Sequence, residues 1–222
     1  MFIPITHATE VDQSAKILSK SMLLLENINR IFDPQCDTSI KESTLINDDR
    51  KEFPVSVITY EYLLKLYPEI ENDAHIPFDY LEEGGEARAH EIARFLDKNN
   101  IVSAKAFLKG SLSYNTKKAV GGNVKWKTQT ASVVRVIKDG KEINYVIDPS
   151  LFRLPVPFDE WAVRIGGNPE DVSFAPRFSY THQDKKEELT DYRHEDLADV
   201  EKKFAKYKGI LEKRSAVKDS TK

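Results

Sequence analysis

Near residue 100 the apolar residues change their period, and that change limits the chain to folds that set helices against a sheet. Before it, apolar positions recur at three- and four-residue steps. Val11, Ala15, Leu18, Met22, Leu25, Ile28 and Phe32 mark one face of a helix over 9–32, with Thr9 as its N-cap and Asp33 and Pro34 as its stop. Residues 60–67 read as a short helix capped by Thr59 and ended by Pro68. Ala89, Ile92, Ala93, Phe95 and Leu96 form the stripe of a third helix over about 85–98. After the change, segments 104–108, 131–137 and 142–147 are rich in β-branched residues and alternate in part, as strands do. Asp139 and Gly140 between the last two signal a hairpin, because both tolerate positive φ. Residues 158–165 read as a short helix. Residues 191–211 read as a longer one, whose stripe of Leu197, Val200, Phe204, Tyr207 and Leu211 docks on its own domain. Residues 33–57 read as polar and irregular, and 215–222 as disordered. Helices, then an antiparallel sheet, then helices make an α+β class. The expected divisions are an N-terminal helical extension (1–58), a central domain (59–185) and a C-terminal amphipathic helix with its end (186–222).

Charge and composition remove several function classes. The 33 basic and 36 acidic residues nearly cancel, so no global field points to nucleic acid or an anionic membrane. No apolar run approaches the roughly 20 residues of a membrane span, and no signal peptide is visible, which reads as a cytoplasmic setting. Cys36 is the single cysteine and sits in a polar stretch, so no intrachain disulfide forms and it reads as an ordinary free thiol. His7, His75, His90, His182 and His194 are scattered without paired-ligand spacing. No metal site and no cofactor are expected. The Gly-Gly-Asn triplets at 121–123 and 166–168 lack the strand-to-helix context and the lysine of a phosphate loop and read as turns.

The most informative motif runs over 76–90, Ile-Pro-Phe-Asp-Tyr-Leu-Glu-Glu-Gly-Gly-Glu-Ala-Arg-Ala-His. Three further blocks follow in order: Phe-Leu-Lys-Gly-Ser-Leu at 107–112, Trp-Lys-Thr-Gln-Thr-Ala-Ser-Val-Val at 126–134, and Ile-Asp-Pro-Ser-Leu-Phe at 147–152, with Pro155, Val156 and Trp161 beyond. Together, over roughly 76–161, they resemble the bacterial protein-glutaminase family, which deamidates glutamine side chains in proteins. The resemblance implies a papain/transglutaminase-like core, in which a central helix begins at the nucleophile and packs on an antiparallel sheet. It also implies a Cys, His, Asp triad in chain order. In this sequence the cysteine position is Gly85, the histidine position is Gln129, and Asp148 keeps the third.

Thiol-based amide hydrolysis needs a thiolate, an imidazole to return a proton to the leaving ammonia, and a group that fixes the imidazole tautomer. Gly85 has no side chain, and the Gln129 amide takes up no proton near neutral pH. The expectation is therefore a catalytically inactive domain that binds protein or peptide, as a decoy, a mask or a regulator, with Glu86, His90 and Trp126 as binding candidates. The alternative is an active amidohydrolase in which the Glu86 and Asp148 carboxylates activate water. Glu82, Glu83 and Glu86 are otherwise acids that favour the positive end of a helix dipole. His90 is expected to pack or hydrogen-bond, and Arg88 to bond locally. The oligomeric state has no signal in the sequence.

Overall fold

The computed structural model describes residues 37–220. The expected helix over 9–32 and Cys36 lie outside the described residues. The strands are β1 (Lys41–Ile46), β2 (Glu52–Thr59), β3 (Ala104–Asn115), β4 (Asn123–Lys138), β5 (Lys141–Ile147), β6 (Val156–Pro157) and β7 (Val172–Pro176). The helices are α1 (Tyr60–Glu71), α2 (Gly85–Lys98), α3 (Phe158–Arg164) and α4 (His194–Ser220). Sixteen-residue β4 organises the sheet, whose order is β1-β2-β4-β3-β7 with β5 attached to β4 and β6 to β5. Alternation along β4 feeds two cores: Val134 and Val136 face α1, α2 and α4, while Ala131 and Val133 face the layer containing Trp161 and Ala162 of α3. Asp139 and Gly140 close the β4–β5 hairpin, both with positive φ.

This is the expected α+β architecture, with α2 as the central helix. The sheet is antiparallel except where β2 runs parallel to β4 through Val57↔Arg135, Ile58↔Val136 and Thr59↔Ile137. β3 and β4 are longer than the expected 104–108 and 131–137, and three further boundaries differ from the sequence reading. Residues 33–57 contain β1 and β2: an exposed edge strand such as β1 carries little apolar alternation, so its period is weak. α1 continues through Pro68 to Glu71, because Leu66, Tyr67 and Ile70 lie on its buried face. Their burial outweighs the roughly 3 kcal/mol that a proline costs inside a helix. Backbone helix extends through residues 215–220, which contain neither glycine nor proline to stop it.

One device starts each of the first two helices. Thr59 caps α1, its hydroxyl accepting from the Tyr62 amide at 3.1 Å and donating to the Asp37 carbonyl at 2.7 Å. Gly84, the N-cap of α2, adopts φ 84°, the left-handed turn that brings the loop 76–84 sharply into the helix. No helix among the described residues is long and apolar enough to cross a membrane.

Candidate functional site

The loop ahead of α2 is held from inside. The buried Arg88 guanidinium donates back to the Tyr80 carbonyl at 2.8 Å and the Glu83 carbonyl at 2.9 Å, fixing the chain as it enters the helix. Burial pulls its pKa down, and the charges of Asp148 and Glu86 oppose that pull. The Trp126 indole donates to the Leu81 carbonyl at 2.8 Å, pinning the same loop to β4. Both side chains thus build the site by backbone satisfaction, which a buried donor requires.

Gly85, Gln129 and Asp148, from three separate elements, come together. A Cβ placed on Gly85 would stand 2.5 Å from Gln129 Oε1, 3.2 Å from Gln129 Cδ and 3.1 Å from the Thr130 carbonyl oxygen. The Gln129 carboxamide therefore fills the space in which a side chain at 85 would begin. Its Nε2 lies 3.5 Å from one Asp148 oxygen, and the Ser150 hydroxyl donates to the other. Gln129 and Asp148 are both buried. The Asp148 carbonyl accepts from the Leu151 and Phe152 amides, so the residue also closes the turn over Pro149. Tyr67 supports this turn from α1, donating to the Phe152 carbonyl at 2.8 Å. Burial first and the Asp148 charge second raise its phenol pKa. Chemically the trio offers an amide and an acceptor carboxylate, with neither a thiol nor an imidazole among the three.

The other candidates go elsewhere. Glu86 accepts from Lys203 of α4 at 2.7 Å, an ion pair toward α4 and not toward Asp148. His90 is fully buried toward β3, with Nδ1 2.7 Å from Lys105 Nζ and the rings of Tyr180 and Tyr192 edge-on. Burial, with the Lys105 charge second, drives the imidazole down to about 2; burial likewise draws Lys105 down to about 7. Lys105 and Lys203 were not singled out by sequence, while Ser150 and Tyr207 entered only as members of the 147–152 motif and of the 191–211 stripe. Lys105 carried a signal, a lysine inside the apolar run Ala-Lys-Ala-Phe-Leu. A groove of about 1470 Å³ opens beside the trio rather than on it; Pro149, Ser150, Arg153, Tyr114 and Tyr60 are among the residues that line it.

This architecture is that of a papain-like α+β domain. Residues 63–165 match the glutaminase family model. The NMR structure of protein-glutaminase from Chryseobacterium proteolyticum is 26% identical with a TM-score of 0.50, the match covering 56% of this chain and 76% of that one. A crystal structure of protein-glutaminase is 22% identical with a TM-score of 0.54, covering 66% and 85%, a likeness of fold alone. No curated protein matches the chain. The chain thus carries a protein-glutaminase-like domain, matched over residues 63–165.

Proposed function

We propose that the chain is a catalytically silent protein-glutaminase-like domain that acts by binding a protein or peptide. The observation that carries this reading is the Gln129 carboxamide seated against Gly85, where a nucleophile's Cβ would stand. A thiolate mechanism needs a nucleophile at the helix start and an imidazole beside it; here a hydrogen and an amide occupy those positions. Asp148 is then the retained position of a former triad, and Gly85 and Gln129 are its substituted nucleophile and base positions. Binding falls to the surface around them: the groove beside Pro149 offers tyrosine faces and the cations Lys117 and Arg153. A reducing, cytoplasmic setting suits a sequence with a single cysteine.

The alternative of a water-activating Glu86 and Asp148 pair is disfavoured by the Lys203 ammonium that holds Glu86. Ammonia release from a glutamine-rich protein tests both. The silent domain releases none above the buffer blank. Sustained release by the purified chain, lost in Asp148→Asn, would overturn the proposal in favour of the carboxylate site.

A further inference from the structure

α4 meets the start of α2 as an amphipathic ligand meets a groove. Its buried residues Val200, Phe204 and Tyr207 stand four and then three residues apart on one face, the anchor spacing of a helix laid in a groove. They enter the same cluster as Ile70 of α1, Ile92 of α2 and Tyr80 of the loop 76–84. Tyr207 stacks on Tyr80 with ring centroids 4.2 Å apart. Its ring also comes within 2.6 Å of where a Cβ on Gly84 would lie, a closeness that only glycine permits.

Charges flank these anchors. Lys203 lies 2.7 Å from Glu86, Lys206 lies 3.2 Å from Glu83, and Arg214 lies 2.7 Å from Glu82. Burial opposes the charge on Glu82, yet the Arg214 hydrogen bond prevails and holds its carboxyl below the usual range. Burial likewise opposes the Lys203 charge, and its hydrogen bonds to Asp199 and Glu86 raise its pKa over that cost. Three acids at the turn that begins α2 thus receive three bases from α4. No described strand follows α4, so its departure breaks no strand pairing.

We propose that the start of α2, with the loop 76–84, is a helix-docking surface that α4 occupies in cis. Its occupant in trans is a basic amphipathic helix of a partner protein, with apolar or aromatic anchors at the same four- and three-residue steps. This goes beyond the silent-domain reading and holds whether or not Asp148 takes part in turnover. Release of α4 uncovers an aromatic seat, Tyr80 beside Gly84, rimmed by Glu82, Glu83 and Glu86. Such a rim rewards a basic helix and repels an acidic one. The tether keeps α4 at an effective concentration on the order of millimolar, so a partner displaces it only by matching both anchors and charges.

The probe is a fluorescent peptide with the sequence of residues 194–217, titrated into the full chain at low salt. The wild type binds it weakly, because α4 competes. The full-length Phe204→Ala/Tyr207→Ala variant binds on the order of tenfold tighter or better, its groove having lost its cis ligand. Adding Glu82→Gln, Glu83→Gln and Glu86→Gln, or raising salt to about 0.5 M, removes that gain. Equal binding by wild type and variant, or indifference to the acid substitutions, overturns the proposal. If the variant does not fold, backbone amide exchange on the wild-type chain decides instead. A docked α4 opens together with residues 80–87 while β3, β4 and β5 stay protected, and salt hastens the opening. Exchange of α4 only in step with the sheet makes it an inseparable core element and overturns the proposal.

Discussion

The hydrogen of Gly85 is a packing requirement, because the Gln129 carboxamide already stands where a Cβ would go. Gly85→Cys alone is therefore expected to destabilise the fold by about 1–3 kcal/mol through overpacking. Combined with Gln129→Ala, the same change should cost much less, a coupling of about 0.5–3 kcal/mol in a double-mutant cycle. Urea denaturation of the four proteins measures it, and additive costs would mean that the two side chains do not share the space. The companion variant Gly85→Cys/Gln129→His is expected to gain thiol-dependent ammonia release if the surrounding frame is pre-organised. The assay belongs in a Cys36→Ser background, so that position 85 holds the single thiol. That three such distant positions meet was legible in the sequence, because four blocks stood in the order of a known site. That Gln129 fills the space at Gly85 was not legible. Side-chain placement between two elements depends on rotamers and burial, which no spacing encodes.

Among the elements, α2 was read at nearly its true extent, and the hairpin turn at Asp139 and Gly140, β5 and the α4 stripe were placed correctly, whereas β3 and β4 were read short, at 104–108 and 131–137. β1 and β2 were missed, since β1 is an exposed edge and β2 includes Pro54, a residue that argues against a strand. The end of α1 was misplaced because a local penalty at Pro68 is smaller than the burial of Leu66, Tyr67 and Ile70. Its start was legible, and the reason is testable. Thr59→Ala removes the acceptor for the Tyr62 amide and the donor to the Asp37 carbonyl. The expected loss is about 1 kcal/mol, within the usual range for a cap, and Thr59→Ser should recover most of it. Chemical denaturation checks both, and equal stability of the alanine and serine variants would remove the hydroxyl from the account.

Across the whole molecule, the least expected feature is the fully buried Lys105–His90 pair between β3 and α2. Segment 177–193 and α4 close over it: Tyr180, Asp184, Tyr192 and Arg193 from the segment, Asp196 from α4, with Glu86, Glu91 and Arg94 on α2 itself. The acids favour the Lys105 charge, but burial outweighs them and draws its pKa from 10.5 to about 7. The unfolded chain therefore binds a proton that the folded chain does not bind between those two values. Stability rises with pH across that window, by at most about 1.4 kcal/mol per pH unit, and the penalty is fully present below it. His90 acts on the acid side. Its pKa falls from 6.5 to about 2, so the stability it contributes is present above 6.5 and is lost as pH falls toward 2. Lys105→Met fills a similar volume without the charge. Urea denaturation between roughly pH 7 and 9, below the range of the buried tyrosine phenols, should show a rising stability for the wild type and a flatter profile for the variant. Loss of the Lys105 partner leaves His90 Nδ1 unpaired at a cost that does not depend on pH in that window, so the slope reports the charge while the offset reports the hydrogen bond. Parallel profiles for the two proteins would show that the folded chain keeps Lys105 protonated throughout, paired with Asp184 and Asp196 more strongly than burial opposes it.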